Sequence, residues 1–337
     1  MTPFRSPTTS AIRAAPCART MVVAVSAAVL LCAGPLRGQG ADSPDSTRRQ
    51  RPQDAWFTGP VAAASASTLP QGHVYAEPYL FDVLSGGSQS VASRTYLVYG
   101  LLDRLSVGLI PAFGFNKPAT GPSSSHIGVG DVTLTSQYRL TGASARGLVP
   151  VSSVVVQETV PSGRYDELGD RPSDGLGSGA YSTTVGLFSQ WLAWLPTGRI
   201  LRTRFDVSLT SSREAHVEDV SVYGTSAGFV GTAKPGLSLT LNPASEYSLT
   251  KQVVLALDLL YVRNESTRVS GQDLSGAGGT PALVAFESGT SSTIALIPAV
   301  EYNWSSRIGV ITGARFILAA GGSSASVTPV VALSMFR

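Results

Sequence analysis

The chain has 337 residues, of which 43% are hydrophobic and only 14% are charged, and its formal net charge is +3. An average soluble domain carries about 25% charged residues, so few charges favour a membrane protein, although the mean hydropathy is only +0.16. No apolar run approaches the ~20 residues that a transmembrane helix needs, and a β-barrel therefore fits better than a helical bundle. No basic cluster with interleaved aromatic residues predicts a nucleic-acid partner.

The amino terminus has the pattern of a secretory signal peptide. Three arginines precede an apolar run at residues 21–32, and small residues follow it. This pattern predicts that residues 1–40 are a signal peptide removed from the mature chain. Both cysteines, Cys17 and Cys32, lie in this leader. The mature protein is therefore expected to have neither a disulfide nor a catalytic thiol.

Residues 41–68 are polar and lack any periodic pattern of apolar residues. We interpret them as a flexible periplasmic amino-terminal tail. From residue 69 the pattern changes to the alternation of a β-strand, which places polar and apolar side chains on opposite faces. Residues 69–337 are therefore predicted to form a single transmembrane antiparallel β-barrel.

The clearest strand is Gly128–Leu140, in which polar and apolar side chains alternate from Asp131 onward. The same pattern recurs along the mature chain and predicts about twelve strands, an even number typical of bacterial outer-membrane barrels. Their ranges are 73–83, 93–101, 105–115, 128–140, 149–160, 179–194, 200–211, 237–249, 253–264, 292–304, 308–318 and 326–336.

The connections between these strands supply a second signal. Short turns follow the even-numbered strands, whereas residues 116–127, 161–178, 212–236 and 265–291 are long and polar. Short turns at one end and long loops at the other are typical of barrels in the bacterial outer membrane. We therefore predict that location, with outer-membrane lipids and the barrel assembly machinery as partners.

A row of polar and charged side chains is predicted to face the lumen, because charges that face lipid cost several kcal/mol, roughly 2–4 each near the middle of the membrane. Two interpretations stay open. The row could line a channel and select solutes, or its charges could pair and fill a closed interior. A barrel of twelve strands is intermediate in size between small barrels filled by side chains and large open porins, so its size does not distinguish the two interpretations. The row comprises Asp131, Gln137, Arg139, Arg202, Arg204, Asp206, Asn242, Glu246, Asp258, Glu301 and Arg315.

Several short motifs resemble the family of outer-membrane proteins known as the MetA-pathway of phenol degradation family. They are LPQGH at 69–73 with EPY at 77–79, GVGDV at 128–132 with YRL at 138–140, VPSG at 160–163 with GSG at 177–179, and residues 242–249. The resemblance implies an outer-membrane barrel that passes small hydrophobic or aromatic molecules. The chain departs from the usual barrel ending, because Arg337 follows the aromatic Phe336.

No catalytic or metal-binding pattern emerges. The three histidines, His73, His126 and His216, have no ligand spacing that predicts a metal site. Residues 224–228 match G-x-S-x-G, but no strand-to-helix context supports a nucleophile there. The acidic residues between 166 and 174 are interpreted as a solvated loop. We therefore predict that the protein is not an enzyme and has no cofactor.

The sequence as a whole predicts a porin-like channel that passes a small-molecule solute by passive diffusion through a lumen lined with Arg, Asp and Glu. No ATP-binding loop supplies an energy source. One alternative is a closed structural or adhesive barrel that acts through its extracellular loops. A less favoured alternative is a barrel enzyme such as a phospholipase, which would need a Ser–His pair at the rim. The solute and the oligomeric state are left open.

Overall fold

The computed structural model describes residues 49–142, 149–275, 281–318 and 324–337. The predicted signal peptide and residues 41–48 lie outside this part of the chain. Two short 3₁₀ turns, Pro52–Asp54 and Pro172–Asp174, accompany eighteen strands. The strands are β1 (Val74–Ser85), β2 (Ser88–Leu102), β3 (Leu105–Ile110), β4 (Ala112–Lys117), β5 (Gly128–Val129), β6 (Val132–Thr141), β7 (Val151–Val160), β8 (Ser182–Trp194), β9 (Ile200–Ser212), β10 (Ala215–Glu218), β11 (Phe229–Lys234), β12 (Ser238–Ser248), β13 (Val253–Asn264), β14 (Arg268–Asp273), β15 (Ala282–Glu287), β16 (Ser291–Asn303), β17 (Ile308–Leu318) and β18 (Ser326–Phe336).

Fourteen of the strands form one closed antiparallel sheet, in the order β1-β18-β17-β16-β13-β12-β9-β8-β7-β6-β3-β2-β4-β5, and β1 also pairs with β2. β3 and β4 together form one membrane-crossing strand that is interrupted in the middle, and β5 and β6 together form another. Pro111, which has no N–H to donate, interrupts the first of these segments. The barrel therefore has twelve antiparallel strands, which confirms the predicted fold class.

An apolar belt covers the outside of the barrel. Alternate residues of the wall expose large hydrophobic side chains, as a strand with one lipid-facing surface requires. Examples with exposed fractions between 40% and 52% are Leu80, Leu134, Val185, Leu187, Phe205, Leu255, Val300 and Phe316. Among the described residues, no helix has the length and hydropathy needed to cross a membrane.

The two ends of the barrel differ. Short turns such as 103–104 and 249–252 join strands at one end, which we call the periplasmic end because outer-membrane barrels place their short turns there. One short turn also occurs at the other end, where Gly86 and Gly87, with φ of 56° and 83°, join β1 to β2. The first two strands are therefore longer than predicted, since residues 84–92 form a hairpin rather than a loop.

A second, four-stranded sheet stands at the extracellular end, in the order β10-β11-β14-β15. Its own apolar cluster contains Val217, Phe229, Ala233 and Val269, all at most 3% exposed. The long polar connections predicted at 212–236 and 265–291 thus contain the four strands of this sheet, within the described residues.

Residues 50–70, which we call the luminal segment, run inside the barrel. Ala63, Ala66 and Thr68 are at most 7% exposed, and the segment hydrogen-bonds to side chains of β3, β6, β8, β9, β13 and β16. The prediction of a flexible periplasmic tail is therefore wrong for residues 49–68. An aperiodic stretch of Ala and Ser has no amphipathic face of its own, and it becomes ordered because the wall supplies partners for its backbone.

Candidate functional site

The luminal segment enters the barrel beside the periplasmic turns of β8, β9, β12 and β13. Gln50 donates its backbone N–H to Gly198 O (2.9 Å) and its side-chain amide to Ser248 Oγ (2.8 Å). Trp194 Nε1 donates to Gln50 O at 2.8 Å. The segment returns to the periplasmic end at the β2–β3 turn, where Thr68 Oγ1 donates to Asp103 O at 2.7 Å. It therefore loops through the periplasmic half of the lumen.

Buried carboxylates hold this loop by its backbone. Asp258 accepts the N–H groups of Val61 (3.0 Å), Ala62 (3.3 Å) and Ala63 (2.8 Å). The wall's own backbone groups are used in the sheet ladder, so inward side chains must satisfy the donors of the inserted segment.

Two further carboxylates on the same side of the lumen repeat this contact. Asp206 accepts the N–H of Ala64 at 2.7 Å, and Glu301 accepts that of Thr58 at 2.6 Å. Three strands of the wall, β9, β13 and β16, thus hold the segment through carboxylate side chains.

Glu246 lies between two arginines of β9. Arg202 donates to both of its carboxylate oxygens, through Nε at 2.6 Å and through Nη2, and Arg204 Nε donates to Oε2 at 3.1 Å. Glu246 is 0% exposed and Arg204 is 5% exposed. Arg204 Nη1 also donates to Ala63 O at 2.8 Å, which connects the ion pairs to the luminal segment.

Gly59 makes a close approach possible. Its φ is +131°, and a Cβ added there would lie 3.2 Å from Arg204 Nη2. Phe57 nearby places its ring 4.3 Å from the Arg202 guanidinium carbon. A residue without a side chain thus lets the segment cross directly over the buried arginine.

The segment does not fill the lumen. A cavity of about 460 Å³ remains beside it, and its lining includes residues of the segment itself and of β1, β2, β3, β6, β7, β8, β9 and β18. Ligand pockets in proteins typically have volumes of about 300–1,000 Å³. Aromatic side chains, among them Tyr75, Tyr79, Tyr96 and Phe188, line this cavity together with Glu77.

The structure brings together six of the eleven residues predicted to line the lumen. Arg202, Arg204, Asp206, Glu246, Asp258 and Glu301 form the charged cluster described above. Asn242 is 3% exposed, and its amide lies at 3.5 Å from Asp258 Oδ1, at the edge of this cluster. Gln137 lies apart, donating to Ser65 O and Ser153 Oγ at 2.8 Å each.

The remaining three residues have separate surroundings. Asp131 accepts hydrogen bonds from Gly163 N (3.0 Å) and Ser178 N (2.8 Å), so it anchors the loop between β7 and β8 over the extracellular mouth. Arg139 lies near the periplasmic end and Arg315 in the extracellular half. The buried Nε of each has no hydrogen-bond partner among the described residues.

Sequence reasoning missed the luminal segment, the inward Glu77 and the inward Arg94. The alternation Tyr75-Glu77-Tyr79 is visible in the sequence, and a carboxylate within a membrane-crossing strand is itself a signal for the lumen. The segment carries no comparable local signal, because its hydrogen-bond partners in the barrel wall and its turns lie 35 to 247 residues away in the chain.

One exposed group resembles a catalytic arrangement at the extracellular rim. Ser125 Oγ lies 2.8 Å from His126 Nδ1 and 2.9 Å from Asp174 Oδ2. A Ser–His pair therefore exists where the sequence suggested no convincing one. The order differs from a triad, because the serine rather than the histidine contacts the carboxylate. The Ser125 backbone N–H also lowers the pKa of Asp174, which makes it a weaker base.

No protein-family model matches the chain, and no curated protein matches it. The resemblance to the MetA-pathway family therefore stays a prediction. Among solved structures, the chain is similar to the COG4313 outer membrane channel from Pseudomonas putida F1, with a TM-score of 0.53 and 16% identity over 82% of this chain and 100% of that one.

Two further solved structures are less similar. The beta domain of the Bordetella autotransporter BrkA gives a TM-score of 0.41 at 8% identity, covering 79% of this chain and 99% of that one. The Pseudomonas putida toluene transporter TodX gives 0.40 at 13% identity, covering 79% and 90%. The first likeness, together with the apolar belt, agrees with the predicted location in the bacterial outer membrane. The chain has the fold of a bacterial outer-membrane channel.

Proposed function

We propose that the protein is an outer-membrane channel that passes small molecules, hydrophobic or aromatic ones among them, by passive diffusion. The observation that carries this proposal is the cavity of about 460 Å³ beside the luminal segment. A barrel built only as a scaffold gains stability from a filled interior, since close packing is worth more than a void. An unfilled space of ligand size with an aromatic lining favours a solute path.

The charged cluster does not by itself form the path. Arg202 and Arg204 are paired with Glu246, and the carboxylates of the neighbouring strands hold the luminal segment. We infer that these charges position the segment, and that the segment sets the width of the remaining passage. Solutes would move past the aromatic side chains that line the cavity.

The test is single-channel conductance of the refolded protein in a planar bilayer. We expect small steps from the full mature chain. We expect several-fold larger steps from a variant in which the leader is joined directly to Leu69, because the lumen then lacks the segment. Removing residues 276–280, which connect β14 to β15 in the sequence, is the matched control and should leave the step size unchanged. If neither the full chain nor the shortened variant produced conductance steps, the proposal would be contradicted.

A closed barrel that acts through its extracellular loops is the second candidate. The observation that favours it is the separately packed four-stranded sheet at the extracellular end. This candidate predicts a folded barrel that conducts no ions even without residues 49–68. The same conductance experiment therefore separates the two functions.

A further inference from the structure

A buried carboxylate, Glu77 of β1, faces the cavity in the lumen. It is 8% exposed and belongs to the cavity lining. Val74 and Leu80 of the same strand are 47% and 50% exposed on the lipid side. Because side chains alternate along a strand, Glu77 shares the inward face with Tyr75 and Tyr79. The wall thus places a charged group where a solute in the cavity can reach it.

The immediate neighbours of Glu77 carry no positive charge. Tyr96 stands directly across the β1–β2 pair, and Tyr75 and Tyr79 hydrogen-bond to the carboxylate. These phenols supply hydrogen bonds but no charge. Arg94 stands opposite Tyr79 and is exposed, and no ion pair to Glu77 occurs within the part of the chain that the structure describes. The carboxylate therefore faces the cavity without a counterion from the wall.

The charged cluster around Arg204 does not supply the missing charge. Arg204 acts on Glu77 only at longer range, without an ion pair, and it is already held by Glu246 at 3.1 Å. Arg307, a further basic residue of the cavity lining, lies exposed in the turn between β16 and β17. Arg202 and Arg204 thus share this part of the lumen with the carboxylates of Glu77, Asp206, Glu246, Asp258 and Glu301. Because buried charges are costly unless opposite charges accompany them, this excess of carboxylates favours an added cation.

Aromatic rings line the same cavity. Tyr75, Tyr96 and Phe188 are half-buried and belong to its lining, so part of each side chain is open to a solute. Phe57 of the luminal segment, which also lines the cavity, already lies 4.3 Å from the Arg202 guanidinium carbon. The face of an aromatic ring attracts an organic cation, and most strongly where water is excluded. A carboxylate among such rings is therefore suited to an ammonium group.

We propose that Glu77, together with the rings of Tyr75, Tyr96 and Phe188, forms a binding site for a small organic cation, an ammonium group attached to an aromatic ring. This inference rests on the proposed channel function and names the solute class that the cavity selects. The carboxylate binds the ammonium group through charged hydrogen bonds, and the rings pack against the rest of the molecule. The cavity of about 460 Å³ has room for such a molecule.

The test is equilibrium binding to the refolded full mature chain by isothermal titration calorimetry at neutral pH. Benzylammonium carries the ring and the positive charge, benzyl alcohol the ring alone, methylammonium the charge alone, and benzoate the ring with a negative charge. We expect benzylammonium to bind at least about tenfold more tightly than each of the others, because the charged hydrogen bond and the ring contacts each add to affinity. Equal affinity for benzylammonium and benzyl alcohol, or tighter binding of benzoate, would overturn the site. Equal affinity for benzylammonium and methylammonium would overturn the role of the rings.

Variants locate the binding. E77Q keeps the size of the side chain and removes its charge, so it should weaken benzylammonium binding about tenfold and leave benzyl alcohol binding unchanged. E265Q removes an exposed carboxylate just after β13, paired with Arg263, and should change neither. Unchanged benzylammonium binding in E77Q would overturn the proposal, and so would an equal loss for both probes, since Glu77 would then only maintain the shape of the cavity. The comparison of probes on the unsubstituted chain decides the matter even where E77Q fails to fold.

Conductance and binding distinguish the channel function from the binding site. A barrel that binds benzylammonium as expected but conducts nothing contradicts the channel function and leaves the binding site standing. A barrel that conducts but binds benzylammonium no better than benzyl alcohol keeps the channel function and overturns the site.

Discussion

The two halves of the lumen use charge in opposite ways. In the periplasmic half, Glu246 pairs with two arginines, and Asp258 accepts three backbone N–H groups of the luminal segment. In the extracellular half, the buried Nε of Arg315 has no hydrogen-bond partner among the described residues. Paired charges hold a part of the protein in place, whereas an unpaired charge holds no other part of the chain. The same residue types therefore predict different consequences on substitution.

The largest effect is expected from E246Q. This change leaves Arg202 and Arg204 buried without their carboxylate, and breaking a buried ion pair typically costs about 3–5 kcal/mol. We expect the free energy of unfolding to fall by about that amount. Urea-induced unfolding in detergent micelles, followed by tryptophan fluorescence, measures it.

E287Q is the control for this prediction, since it removes the exposed Arg268–Glu287 pair of the extracellular sheet. Exposed pairs contribute about 0–1 kcal/mol. A similar loss in the two variants would mean that the luminal cluster is not a buried pair and that the contrast between the halves is false.

D258N should have the next largest effect, and we expect that effect to be confined to the luminal segment. An asparagine offers one acceptor oxygen where the carboxylate offers two, and its amide group opposes the N–H donors of residues 61–63. Loss of charged hydrogen bonds typically costs about 1–3 kcal/mol. Hydrogen exchange at the amides of residues 61–64 should accelerate by about tenfold or more.

The matched control for D258N is D170N, on an exposed aspartate of the loop between β7 and β8. It should leave exchange at residues 61–64 unchanged. If D258N also leaves it unchanged, the carboxylate does not hold the segment.

G59A tests the close approach to Arg204. Gly59 and Gly72 both have positive φ, of +131° and +80°, but an added Cβ meets Arg204 only at Gly59 and meets nothing within 4 Å at Gly72. Both substitutions should carry a backbone cost of about 1 kcal/mol, and G59A should cost more. Faster hydrogen exchange of the segment in G59A than in G72A is the expected readout. Equal exchange would place the segment away from the arginine.

The smallest effect on stability is expected from R315Q. Because the buried Nε of Arg315 has no hydrogen-bond partner among the described residues, and no ion pair to this side chain occurs there, removing its charge breaks no attraction. We expect the free energy of unfolding to stay within about 0.5 kcal/mol of the unsubstituted protein, or to rise. The urea experiment used for E246Q measures it. A loss comparable to that of E246Q would show that Arg315 has a structural partner, and it would remove the difference between the two halves.

Much of the barrel follows from local sequence patterns. Period-two alternation located all twelve crossing strands, because lipid on one side and water on the other impose the pattern residue by residue. The same physics places Phe205 and Leu209 outward, at 42% and 46% exposure, and leaves Arg204 and Asp206 at 5% and 6%. Short and long connections alternate along most of the chain, and this alternation identified the two ends of the barrel, because successive strands cross the membrane in opposite directions.

The contents of the lumen were decided only by the tertiary structure. Which inward charges pair depends on strand shear and on contacts between residues far apart in the chain, such as Arg202 with Glu246 and Thr58 with Glu301. The luminal segment has no periodic pattern, so its sequence resembled that of a mobile tail. It becomes ordered because carboxylates on three separate strands converge on its backbone, and that convergence exists only once the barrel has closed.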